Sequence, residues 1–108
     1  MSLTVNLYYT GENGNARRFA EEMERTGVAA RIRAEEGNEN YSYFISMADP
    51  ETVLLIDQWR DQAALDAHHA SPMMAELAAM RDKYDLHMRA ERFVTTEGSA
   101  SDERFLRK

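Results

Sequence analysis

The fold can be worked out from residues 53–74, VLLIDQWRDQAALDAHHASPMM. Val53, Leu54, Leu55 and Ile56 are consecutively apolar, the pattern of a strand covered on both faces. Alternation puts Val53, Leu55, Asp57 and Trp59 on one face and Leu54 and Ile56 on the other. Asp57 therefore stands between apolar neighbours, where a carboxylate is costly unless it is partnered. Asp61 fits a helix N-cap before Gln62-Ala63-Ala64-Leu65. His68 follows Leu65 by three positions and Ala64 by four, so it shares their inward face. His69 is turned about 100° further round, toward solvent. Ser71-Pro72 predicts a second helix, with Ser71 as cap and Pro72 at the first helical position.

Leu3 to Thr10 alternates between Leu3, Val5, Leu7, Tyr9 and Thr4, Asn6, Tyr8, Thr10, which predicts a strand. Gly11 to Gly14 is a turn, and Asn13 or Asn15 can cap the helix after it. Ala16, Phe19, Ala20 and Met23 form that helix's apolar stripe, and Gly27 ends it. Val28 to Ala34 predicts a short helical piece with Val28 and Ile32 inward. Glu35 to Asn40 predicts a polar loop. Tyr41 to Met47 alternates again, with Tyr41, Tyr43, Ile45 and Met47 on one face. The Ser71 helix carries Met73, Leu77, Met80 and Tyr84 on one stripe. Asp85 to Thr95 predicts the last strand, with Leu86, Met88 and Val94 on one face. Residues 1–96 make one domain. Residues 97–108 are a polar tail or arm whose only apolar grip is Phe105-Leu106.

The order strand, helix, strand, strand, helix, strand predicts an α+β, ferredoxin-like βαββαβ fold. Two helices cover only one face of a four-stranded sheet. Leu54, Ile56, Phe44 and Phe93 lie opposite the main apolar sets of their strands. A second copy of the chain, sheet against sheet, is the simplest cover, so the sequence predicts a homodimer.

The 108 residues suit a single modest core. Without Cys there is no disulfide, thiolate nucleophile or Cys-based metal site. The formal charge of -6 disfavours nucleic acid and anionic membrane as partners. No apolar run is long enough to span a bilayer and no signal-peptide pattern is present, so a cytoplasmic protein is expected. His68 and His69 are adjacent rather than a turn apart and His87 stands alone, so no metal is expected. No Gly-rich phosphate loop leads from a strand into a helix, so no nucleotide or flavin cofactor is expected.

Asp57, Trp59, Ala64-Leu65, His68 and Ser71-Pro72, in that order and spacing, resemble the antibiotic biosynthesis monooxygenase domain family, quinol monooxygenase-like proteins included. Glu35-Glu36-Gly37-Asn38 and the Asp49-Pro50 turn add to the resemblance, which spans roughly Leu3 to Val94. It implies a dimeric α/β barrel and a cofactor-independent oxygenase acting on a quinol-like or polyphenolic small molecule, with molecular oxygen as co-substrate. His68, which can exchange a proton near neutral pH, becomes the candidate base, with Asp57 as the second catalytic candidate. Trp59, Tyr43, Leu65 and Met73 become candidate pocket walls. Asn6 and His69 are candidate polar contacts to substrate. The chain departs from the family in four places. Asp57 keeps the acid where the family often has Glu, but shortens it. Met73 stands where many relatives carry a second His. The haem-degrading members' apparatus has a counterpart only in Asn6. Leu55 occupies the position of the Asn used by members that oxidise anthrones. An isomerase of a small oxygenated metabolite, and a non-catalytic dimeric binding or stress-response module, stand as alternatives on the same fold.

Overall fold

The computed structural model describes all 108 residues. Its elements are β1 (Leu3–Thr10), α1 (Asn15–Arg25), α2 (Val28–Arg33), β2 (Asn38–Ile45), β3 (Thr52–Trp59), α3 (Gln62–His69), α4 (Met73–Lys83), β4 (His87–Val94) and α5 (Ala100–Glu103). The strands form one antiparallel sheet in the order β2-β3-β1-β4. This is the ferredoxin-like plan expected from the element order, with each helical half broken into two pieces.

The helices lie on one face. Val53, Leu55, Asp57 and Trp59 of β3 are all buried there, together with Leu3 and Tyr9 of β1 and Tyr41 of β2. The stripe Ala16, Phe19, Ala20 and Met23 of α1 closes over them, with Val28, Ala29 and Ile32 of α2, Leu65 of α3 and Leu77 of α4. Polar ties set where this layer sits. Glu22 of α1 accepts from Lys83 Nζ at 2.7 Å and from the Tyr84 hydroxyl at 2.6 Å, at the end of α4. Arg31 of α2 holds Glu76 of α4 through two contacts of 2.8 and 3.0 Å. These ties draw α4 toward α1 and α2, and β4 is left without a helical cover. Met88 and Val94, which face the helix side of β4, are 45% and 55% exposed.

The opposite face carries no layer of its own. Leu54 and Ile56 are half-buried there, and Phe44 and Phe93 are about half exposed. No helix is long and apolar enough to cross a membrane.

Local chemistry departs from the sequence reading at several element ends. Neither Asn13 nor Asn15 caps α1. Asn13 (φ 56°) and Gly14 (φ 76°) are both left-handed, so Gly14 takes the cap position. The Gly14 N–H donates to Glu51 Oε1, and Asn15 donates its side-chain amide to Tyr84 O. Ser71 does not cap α4 either. Pro72 occupies the cap position, the Ser71 carbonyl accepts from Met74 N, and Ser71 Oγ is buried without a partner. Asp61 caps α3 as expected, accepting from Ala64 N at 2.9 Å. β2 begins at Asn38 instead of Tyr41, because a bulge between Asn38 and Asn40 lets polar residues join the ladder at the sheet edge. Met47 lies outside the strand and is fully exposed. β4 begins at His87 instead of Asp85, whose positive φ of 51° makes it part of the turn. The tail contains a short exposed helix, α5, started by a Ser99–Asp102 capping box.

Candidate active site

Four residues from three parts of the chain meet at the Trp59 end of the sheet. Trp59 ends β3 and is fully buried between Leu3 and Asn38 of the flanking strands. The His68 ring, one turn after Leu65 on α3, stacks on it with centroids 4.9 Å apart and planes 29° from parallel. His68 Nδ1 lies 2.6 Å from Glu35 Oε2. Asp57, two residues before Trp59 on the same face, is 5% exposed.

Glu35 is held in place by its loop. Gly37 (φ 86°) packs so closely on α3 that a Cβ there would sit 2.5 Å from the Ala64 Cβ. The Arg60 N–H donates to Gly37 O at 2.7 Å. The turn is therefore clamped between the end of β3 and the start of α3, and Glu35 points at the far end of α3. A carboxylate only accepts hydrogen bonds. Paired with Glu35 in that form, His68 carries its hydrogen on Nδ1 and keeps the Nε2 lone pair free.

Asp57 is the least satisfied group in the cluster. Burial pushes its carboxyl up to about 7; the Trp59 indole opposes the rise and the Glu35 carboxylate adds to it. The indole N–H does not complete a hydrogen bond, since Trp59 Nε1 and Asp57 Oδ1 are both buried without partners. Further into the core, the Tyr41 and Tyr43 hydroxyls meet at 2.9 Å. Arg81 of α4 donates to the Tyr9 hydroxyl at 3.5 Å. Burial raises all three phenols, so they stay protonated.

The remaining sequence candidates are dispersed. Leu65 is buried beside the cluster and Met73 is half-buried where α4 begins. His69 is exposed, 5.7 Å from His68 between ring centroids. Tyr43 stacks edge-on against Phe19 and Tyr41 beneath α1. It borders the largest groove, about 690 Å³ between α1 and β2, which does not reach His68. Asn6 lies on the opposite face of the sheet, across from Ile56 and Glu91, and its Oδ1 is buried without a partner. The site therefore does not assemble as one pocket from all the sequence candidates. It gathers Asp57, Trp59, Leu65 and His68, and it adds Glu35. Glu35 was legible as part of a polar loop that resembles the family, but its role was not, because its partner lies 33 residues away. No group of three or more His, Asp or Glu converges as metal ligands.

Residues 2–80 match the family described as antibiotic biosynthesis monooxygenase. The chain belongs to that family. The family takes its description from monooxygenases, a class of oxidoreductase. Among curated proteins it is similar to a presumed monooxygenase, YcnE of Bacillus subtilis (strain 168), at 33% identity over 46 residues, 43% of this chain. The match spans about half the length of that relative, 48%. Solved structures share the fold. SnoaB of Streptomyces nogalater, a cofactor-independent oxygenase, has a TM-score of 0.75 at 17% identity and covers 92% of this chain and 97% of its own. PA3566 of Pseudomonas aeruginosa has a TM-score of 0.74 at 24% identity, covering 89% of this chain and 95% of its own. Rv0793 of Mycobacterium tuberculosis has a TM-score of 0.74 at 16% identity, covering 93% of this chain and all of its own.

Proposed function

We propose that the protein is a cofactor-independent monooxygenase acting on a quinol-like or polyphenolic small molecule. The observation that carries this reading is the buried His68, stacked on Trp59 and held through Nδ1 by Glu35. Such an imidazole has a fixed ring, a defined tautomer and one free basic nitrogen, the requirements of a general base. The substrate lies over Val5 and Leu7, which are half-buried beside Asp57 on the helix side of β1. His68 Nε2 removes the phenolic proton, and Glu35 stabilises the imidazolium that forms. The electron-rich phenolate passes one electron to O₂, the two radicals combine at a ring carbon that bears hydrogen to give a peroxide anion, and the His68 imidazolium returns its proton to form the hydroperoxide. Loss of water from it leaves a quinone carbonyl, so one oxygen atom enters the product and the other leaves as water. The substrate supplies every electron. Asp57 in its neutral form donates a hydrogen bond to oxygen during the reaction, as a buried carboxylic acid can.

The working form is a homodimer joined through the uncovered sheet face. Half-buried Leu54 and Ile56, with half-exposed Phe44 and Phe93, support it. Oxygen uptake over a panel of hydroquinones, naphthoquinols and anthrones tests the activity. Uptake that depends on His68 supports the reading. Binding without uptake across the panel refutes it in favour of a binding module.

A further inference from the structure

The helix-side surface of β1 and β4 is apolar except at one position. Register aligns Tyr41, Asp57, Val5 and Arg92 in a single row across the four strands. The rows on either side present Leu3 and Val94, and Leu7 and Ala90. Arg92 is thus the one cation on the uncovered floor beside Asp57. It has no carboxylate partner. Its recorded side-chain contact is a hydrogen bond from Nη2 to Gln62 Oε1, a neutral amide at the start of α3. Arg89, on the opposite face of the same strand, by contrast pairs with Glu91 and stacks 3.8 Å over the Tyr8 ring.

The spacing fits a ligand of defined size. Adjacent strands lie about 4.8 Å apart, so the Cα atoms of Asp57 and Arg92 stand about 10 Å apart with Val5 between them. A single aromatic ring lying on Val5 would reach the His68 and Asp57 side with one edge and the guanidinium with the other. A guanidinium exchanges an amide oxygen for a carboxylate readily, because the charged, bidentate pair is the stronger one. The protein as a whole carries a formal charge of -6. An anion would be repelled from such a surface unless a local cation received it.

We propose that Arg92 is a specificity-determining residue: its guanidinium anchors a carboxylate, or an equally acidic oxygen, on the edge of the phenolic ligand away from the hydroxyl that faces His68. This rests on the oxygenase reading for the location of the ligand and narrows its class to anionic quinols. Asp57 in its neutral form removes a competing negative charge from the same row.

The test is calorimetric binding of 2,5-dihydroxybenzoate and of hydroquinone to the full chain. The wild type should bind the carboxylated probe at least about tenfold tighter, the value of one charge-assisted contact. Arg92→Gln should abolish that preference and leave hydroquinone affinity unchanged. Arg92→Lys should retain part of it, and Arg17→Gln, which removes an equal charge from α1, should retain it all. Equal affinity for the two probes in the wild type, binding of neither, or a preference that survives in Arg92→Gln would overturn the assignment. Oxygen uptake on the same samples separates the two proposals. A preference that depends on Arg92 without uptake sinks the oxygenase reading and leaves the anion anchor standing.

Discussion

Replacing Asp57 by asparagine isolates the electrostatic cost of the cluster, because the amide keeps the shape of the side chain and cannot ionise. The Asp57 carboxyl is raised by burial from 3.8 to about 7. Below pH 4 the group is protonated folded and unfolded, and contributes nothing. Between about 4 and 7 the folded chain holds a proton that the unfolded chain has released. Stability then falls with rising pH by about 1.4 kcal/mol per unit. Above 7 both states are ionised and the loss is complete, about 4 kcal/mol over roughly three units. For a domain whose whole stability is on the order of 5–15 kcal/mol, this is a large share.

Urea unfolding of wild type and Asp57→Asn, from pH 4 to pH 8.5, reads that loss directly. Every other titrating group is common to both proteins, so the difference between the curves belongs to position 57. Asp57→Asn should gain on the wild type steadily through pH 4–7 and level off above, with a total change of about 3–4 kcal/mol. Any constant effect of the amide shifts the whole difference and leaves its pH course intact. A difference that stays flat to within about 1 kcal/mol would show that Asp57 is solvated or paired in solution, and the reasoning would fail.

Other outcomes follow from the same geometry. His68→Ala should lower turnover by about two to four orders of magnitude, while His69→Ala, on the exposed side of α3, should be nearly silent; steady-state oxygen uptake compares them, and the reverse order would sink the assigned base. Glu35→Gln keeps an acceptor near His68 Nδ1 and removes the charge. It should cost about 1–3 kcal/mol of stability in urea unfolding and lower kcat more than it raises KM. Ile56→Lys buries a charge in the proposed sheet-to-sheet contact, so light scattering should drop from twice the chain mass to one chain mass or show an unfolded protein; a wild-type monomer would remove that contact. Gly37→Ala should destabilise by at least about 1–2 kcal/mol through its left-handed backbone, more if the contact with Ala64 cannot relax.

The strands and helices were legible where apolar periodicity is strong. β1, β3 and the stripe of α1 stand within a residue of where alternation and 3.6-residue spacing put them. His68 was placed inward, and His69 outward, by helical phase alone. What failed were caps and edges. Asn13, Asn15 and Ser71 are all competent caps, and which oxygen serves depends on backbone dihedrals that the chain sets through tertiary packing. Asn38 and Asn40 read as loop because an edge strand needs no apolar side chains to pair. Glu35 escaped for another reason. Its role comes from a turn folded onto α3 at Gly37, and only the presence of that glycine hinted at a close approach. Tyr43 and Asn6 were correctly assigned to faces, yet a face is not a site: one lies under α1 and the other on the far side of the sheet.

The cluster carries costs that a core built for stability alone would avoid. Asp57 Oδ1 and Trp59 Nε1 are buried without partners, and Ser71 Oγ, three residues after His68, is a third such atom. Each unpaired buried group costs about 1–3 kcal/mol. One row away on the same strand face the chain places Leu55, fully packed and free of any such cost. Leu at position 57 would close the core in the same way. The tyrosines of the neighbouring core show that the fold can satisfy buried polar groups where nothing else is asked of them, for Tyr41 and Tyr43 bond to each other. Three of the five unpaired buried atoms thus lie where β3 meets α3, around the one imidazole the core buries, while Asn6 Oδ1 and Arg81 Nε stand apart. Deviations of this kind concentrate at functional positions, where local stability is given up for a chemical role. Asp57→Leu should then stabilise the fold and abolish turnover together. A stabilised Asp57→Leu enzyme with full oxygen uptake would reduce the cluster to a packing accident.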